Sequence, residues 1–186
     1  MKRSELIIVL IIAIVVGIVT GFSAVLYNFI LSSGASVLSR LLLQEKILYL
    51  IIPIIGASLS SVLYFFGKYD VNYGLGVGQV LAEIKLYKSQ LIKPTQLVFN
   101  VISSWITLIF GFTAGRFGPI VHMGASIVSI LAYKMSLSPE NLRLLIGCGI
   151  GGTMASVFGL PLFAVVFVSE VIFREAIYKN MAPLLL

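Results

Sequence analysis

Glycine, twice together with proline, breaks an otherwise apolar sequence at Gly74-Leu75-Gly76-Val77-Gly78, Gly115-Arg116-Phe117-Gly118-Pro119 and Phe158-Gly159-Leu160-Pro161. The chemistry such breaks offer is that of bare backbone amides. The first turn of a helix leaves N–H groups without intrahelical acceptors, and the helix dipole adds roughly half a positive charge there. Several half-helix ends meeting at membrane depth would therefore make an anion site without the full cation that would trap the ion. A plainer reading stands beside this one: the glycines allow close helix packing and the prolines kink continuous spans. Other chemistry finds little support. No paired intramembrane aspartate, no HExxH and no nucleophile–base pair can be placed on facing helices, which argues against an intramembrane enzyme. The single cysteine, Cys148, has no metal-ligand spacing around it and reads as a small helix-packing residue. His122 is read as a hydrogen-bonded packing residue rather than a pH sensor, and Glu170 as a partner for Arg174 at i+4 spacing.

The elements that must hold these breaks are set by composition. The 186 residues are 59% hydrophobic and 11% charged, with a mean hydropathy of +1.09. A soluble domain is usually about half apolar and a quarter charged, so the bilayer is the solvent here. Alternating strand patterns are missing, and lipid tolerates only helices or closed barrels, so the fold class is all-α, a single polytopic membrane domain over residues 1–186. The net charge of +6 is scattered between apolar segments and forms no basic stripe, which speaks against a nucleic-acid partner. Expected spans cover residues 5–29, with Gly17 and Gly21 four apart for close contact, 47–66 with Pro53 in its first turns and a small face of Gly56, Ser58, Ser60 and Ser61, and 96–112. Residues 71–87 are too short and too broken to cross and read as re-entrant. Shorter helices are expected from Pro119 to residue 133, over 142–157 and over 162–173, and the stretch 181–186 reads as the start of a helix that is cut off.

Gly115-Arg116-Phe117-Gly118-Pro119-Ile120-Val121-His122-Met123-Gly124-Ala125 resembles the G-[KR]-E-G-P-x-V-x-x-G-[AGS] signature of CLC chloride channels and chloride/proton exchangers. Upstream, Gly74-Leu75-Gly76-Val77-Gly78-Gln79-Val80 stands where that family has G-S-G-I-P-E. Downstream, residues 149–158, then Leu160-Pro161-Leu162 and the run from Phe167 to Glu170, resemble its small-residue helix, A-P-L and F-x-x-E. The resemblance implies the N-terminal half of an inverted-repeat membrane core with full-length and re-entrant broken helices. It implies a second half as partner, a homodimer, chloride as the transported ion and no cofactor. The family's topology would place an inner-membrane chain's N-terminus in the cytoplasm. Ten Lys and Arg then lie inside, two (Arg40 and Lys46) outside, and Arg116 in the motif, which accounts for all 13 and obeys the positive-inside rule well.

By this resemblance the anion-lining residues are Gly74, Leu75, Gly76, Val77, Gly78, Gly115, Arg116, Phe117 and Gly118. Arg116 would either add field or pair with a carboxylate or carbonyl. Phe117 occupies the gate position, where the family has a glutamate that competes with chloride and carries the proton in exchangers. Val171 occupies the place of the exchangers' inner glutamate, and Leu75 that of a chloride-binding serine. Neither phenylalanine nor valine titrates, so the expected activity is passive chloride conduction. The alternatives are an exchanger with other proton carriers, or a subunit that conducts nothing.

Overall fold

A computed structural model describes residues 3–42, 47–66, 77, 78, 80, 94–112, 114–133 and 139–173. Every regular element among them is helical: α1 (Arg3–Leu42), α2 (Leu48–Phe66), α3 (Pro94–Ile109), α4 (Phe117–Tyr133), α5 (Pro139–Phe158) and α6 (Pro161–Phe167), the last continuing into a π-helical turn, Val168–Ile172. The expected re-entrant segment 71–87 falls outside the described residues except for 77, 78 and 80, which are helical, and the stretch 181–186 falls outside them too.

Three spans differ from the expected ones. The first does not stop near residue 29: α1 has 40 residues, roughly 60 Å at 1.5 Å per residue. The polar stretch expected to end it stays helical, with three of its hydroxyls satisfied by carbonyls of the preceding turn. Ser32 Oγ donates to Phe29 O at 3.0 Å, Ser36 Oγ to Ser33 O at 2.8 Å and Ser39 Oγ to Ser36 O at 2.9 Å. The third span is shifted, starting two residues earlier and ending three earlier than expected. α3 has 16 residues, roughly 24 Å, against a hydrocarbon core of about 30 Å. It is ended by Gly111 at φ 82°, with Phe112 N–H donating to Thr107 O at 3.1 Å and Gly111 N–H to Leu108 O at 3.2 Å. That pair of bonds is a Schellman cap, and its left-handed residue suits glycine. The helix expected over 142–157 is longer, because Pro139 opens it at a position that needs no N–H, giving α5 20 residues. α1 and α5 contain the two described stretches, Ile7–Arg40 and Asn141–Phe158, that are long and apolar enough to cross a membrane.

α5 is the centre of the bundle, packed against α1, α4 and α6. Its glycines make that possible on three sides. A Cβ on Gly152 would lie 2.6 Å from Thr20 Oγ1 and 3.2 Å from the Gly17 carbonyl, and one on Gly21 would lie 2.8 Å from Ser156 Oγ. Towards α4, a Cβ on Gly124 would lie 2.7 Å from both Gly149 O and Thr153 Oγ1. Towards the π-helical turn, a Cβ on Gly147 would come within 2.5 Å of the Phe173 ring. Close backbone approach of this kind gains dispersion energy where lipid offers no hydrophobic driving force. The Gly17/Gly21 pair is thus in the α1–α5 contact as expected. Gly56 is buried against Phe110, whereas Ser58 and Ser61 of the same expected small-residue face are exposed. Cys148 is exposed too, so the packing assigned to it is done by its glycine neighbours.

The buried side of α1 runs through Val16, Thr20, Ala24, Tyr27 and Leu31 at steps of three or four. Its polar members are satisfied. Thr20 Oγ1 donates to Val16 O at 2.8 Å, Tyr27 OH and Ser104 Oγ share a hydrogen bond of 3.1 Å, and Trp105 Nε1 donates to Tyr27 O at 3.2 Å. The Tyr27 and Trp105 rings stack at 5.7 Å, which ties α1 to α3.

Candidate anion site at the head of α4

α4 begins where its first helical bond is made, from Ile120 N–H to Arg116 O at 3.3 Å. The amides of Phe117 and Gly118 therefore precede any intrahelical donor, and Pro119, inside this first turn, has no N–H to leave unpaired. Gly115 is exposed and a Cβ there would meet nothing within 4 Å, so the backbone before the helix can be approached closely. The Arg116 guanidinium turns away towards α1, where Nη1 donates to Asn28 Oδ1 at 3.4 Å in an exposed position. Of the roles weighed for it, pairing with a carbonyl oxygen is the one seen, and that oxygen belongs to a side-chain amide.

Phe117, at the gate position, sits in an aromatic cluster. Its ring meets Phe167 edge-on, with centroids 4.9 Å apart and an interplanar angle of 86°, and lies 6.1 Å from Phe158. Phe163 closes the group at 5.9 Å from Phe158 and 6.3 Å from Phe167. The break between α5 and α6 brings these rings together. Gly159 at φ 67° donates its N–H to Ala155 O at 2.9 Å, an αL cap that ends α5. Pro161 then opens α6 immediately, so Phe158, Phe163 and Phe167 approach the head of α4 from both sides of one sharp turn.

On the opposite flank, Asn100, Ser103, Ser104, Thr107 and Leu108 of α3 face Ala114, Gly115 and Pro119 across a cleft of about 200 Å³. Asn100, Ser103, Ser104 and Thr107 recur at helical spacing, a polar stripe rising roughly 10 Å along the helix. Ser104 Oγ donates to Val101 O at 2.8 Å and Thr107 Oγ1 to Ser103 O at 2.8 Å. Asn100 is 6% exposed, and its Nδ2 has no acceptor among the described residues. Neither the stripe nor the packing of other rings around Phe117 was expected from sequence. The spacing of Asn100, Ser104 and Thr107 in an apolar helix was the available signal for the first; the second depends on the turn at Gly159.

Of the expected lining residues, Gly115, Arg116, Phe117 and Gly118 lie together at the head of α4, and Val77 packs against the same buried core as Phe117. Gly78 is exposed, and Gly74, Leu75 and Gly76 fall outside the described residues. His122 is buried, with Nδ1 3.2 Å from Ser126 Oγ, while Ser126 also donates to the His122 carbonyl at 2.7 Å. Glu170 and Val171 both lie in the π-helical turn closed by Phe173 N–H to Val168 O at 3.0 Å. Such turns recur at functional sites. Arg174, the expected partner of Glu170, lies outside the described residues.

Residues 59–186, more than two thirds of the chain, match the family described as voltage gated chloride channel. Among similar proteins are a chloride/fluoride channel protein of Pseudomonas syringae pv. tomato, 28% identical over 66% of this chain and 26% of that protein, and a putative ClcB-like chloride channel protein of Ralstonia nicotianae, 32% identical over 48% of this chain and 22% of that one. Chloride channel protein CLC-c of Arabidopsis thaliana is 24% identical over 85% and 23%. The chain spans about a quarter of the length of these curated relatives. The crystal structure of a CLC-type fluoride/proton antiporter is similar with a TM-score of 0.74 and 26% identity, covering 91% of this chain and 41% of that one. Signature, fold and relatives agree, and the chain belongs to the voltage gated chloride channel, or CLC, family.

Proposed function

We propose that this chain forms half of a CLC-type pathway that carries chloride or similar monovalent anions passively across the membrane. One observation carries the reading. The side chain at the gate position, Phe117, is a ring packed edge-on against Phe167 with centroids 4.9 Å apart, where the family resemblance puts a titratable glutamate. Val171 in the π-helical turn supports it, since the resemblance puts the exchangers' inner glutamate there. The amides of Phe117 and Gly118, which have no acceptor among the described residues, then provide the charge compensation an anion needs. In this reading the chain works with a second half of the core, as a homodimer, with its N-terminus cytoplasmic in the cell (inner) membrane.

Proton-coupled exchange is the second reading, favoured by the likeness to a fluoride/proton antiporter at a TM-score of 0.74. Chloride efflux from liposomes holding the chain and its second half, with external pH recorded as the gradient collapses, separates the two. Chloride movement without proton movement is the expected outcome. Proton movement at a fixed ratio would establish exchange instead, and no flux from folded protein would mark a subunit that conducts nothing.

A further inference from the structure

We infer that the cleft between α3 and α4 is a hydration site: it takes water, and the bound water runs on from the cleft to the ring of His122, deeper in the same seam. This holds under either reading of transport, because the seam lies on the flank of α4 away from the aromatic cluster.

Two buried side-chain nitrogens have no hydrogen-bond partner among the described residues, Asn100 Nδ2 and His122 Nε2. A buried polar atom left so is costly, and ordered water is its usual remedy. Both atoms border one seam. Asn100, 6% exposed, lines the α3 side of the cleft and Pro119 the α4 side. His122, three residues on from Pro119, falls on the same face of α4 about one turn further along. The two atoms are also complementary in kind. Asn100 Nδ2 can only donate. Ser126 Oγ donates to the His122 carbonyl at 2.7 Å, so Nδ1, 3.2 Å from that hydroxyl oxygen, carries the ring proton towards it and Nε2 is left with a bare lone pair. Water accepts from the one and donates to the other.

The rest of the lining selects water over other occupants. Ser104 Oγ and Thr107 Oγ1 give their protons to backbone carbonyls at 2.8 Å and show lone pairs, while the Ser103 hydroxyl has no partner among the described residues. A wall that mixes donors with lone pairs suits a molecule that does both. A bare anion is repelled by the lone pairs, and a lipid chain satisfies neither kind of group. The cleft, about 200 Å³, has room for several waters, since one needs only roughly 15 Å³ of such space. Gly115 and Pro119 belong to the same wall, so the head of α4 is wetted from the α3 side and dry on the side of Phe117, Phe158 and Phe167.

The test is thiol modification in liposomes holding the whole protein, with any chain that accompanies it. In a Cys148→Ser background, which removes the exposed native thiol, Ser103→Cys, Thr107→Cys and Ile102→Cys are treated in turn with an ethylammonium methanethiosulfonate. The modified fraction at each position is read by mass spectrometry. Ile102 is one residue from Ser103 but exposed on the outer face of α3. The thiolate is the reacting species and forms in water, so positions 103 and 107 should react roughly tenfold faster than 102. Poor folding would speed reaction at 102 as well, so the ratio remains the measure. Equal reaction at all three positions overturns the inference. Reaction at 103 and 107 that chloride slows and gluconate does not overturns it too, in favour of an anion in the cleft. The extension to His122 has its own readout, because His122 and Trp105 are the sole histidine and tryptophan of the chain. With both carried as nitrogen-labelled residues in water-edited solid-state NMR, polarisation from water should reach the His122 ring several-fold faster than the Trp105 indole, whose N–H is bonded to Tyr27 O at 3.2 Å. Equal build-up at the two rings overturns the extension.

Discussion

In the proposed reading Phe117 is the residue on which mechanism turns, and its departure from the signature is legible in the sequence alone. Its surroundings are not. Phe158 and Phe167 lie far along the chain, and they reach Phe117 only because Gly159 takes φ 67° and Pro161 restarts the helix at once. Periodicity shows a break there but not the angle at which the chain returns. The same holds for Arg116, whose partner Asn28 sits on α1. A direct consequence belongs at this scale. Phe117→Glu restores a carboxylate that would compete with the anion while ionised and release the route when protonated. Anion flux through that variant should rise several-fold as pH falls from 7 towards the carboxylate range near about 4, whereas the native protein should be nearly flat over the same interval. Liposome flux measured at stepped pH checks this, and parallel pH profiles for the two proteins would sink it.

At the scale of the element, existence and order were legible and ends were less so. Long apolar runs give α1 and α2, and Pro-Gly punctuation gives the short helices, because these are local properties of the chain. The overrun of α1 through residues 32–42 is hidden in the sequence because serines there count as polar, yet Ser32, Ser36 and Ser39 bond to their own helix. The pairing of helices is set by where a missing side chain meets a neighbour's backbone. That can be tested with two glycines of opposite standing. A Cβ at position 124 would lie 2.7 Å from the Gly149 carbonyl, whereas one at position 17 meets nothing within 4 Å. Gly124→Leu should therefore push α4 from α5 and destabilise the bundle by about 3 kcal/mol, read as a clear drop in unfolding temperature in detergent. Gly17→Ala should leave that temperature within error, although its backbone abuts Gly152. Equal losses at the two sites would show that helix contact here does not depend on the direction in which the side chain would point.

For the whole molecule, what matters is how little of the longest helix the described residues cover. Within the apolar stretch Ile7–Arg40 of α1 only 17% of its most apolar window is buried. Ile18, Phe22 and Phe29 are 67%, 71% and 66% exposed. In water such a surface would drive aggregation; in hydrocarbon it costs nothing, and against another protein it would be an interface. Composition foretold this membrane setting but not which face of α1 turns inward, since nearly every position is apolar and the buried side is marked only by Thr20, Tyr27 and the glycines. In either setting a charge on the outer face is costly, about 3 kcal/mol near the middle of a spanning helix. Phe22→Lys is thus expected to reduce the fraction of chain that resists alkaline extraction from membranes several-fold. Ser33→Lys, on the exposed and already polar part of α1, should leave it unchanged. If Phe22→Lys inserted as well as the native chain, that face of α1 would have to border a water-filled space rather than lipid or protein.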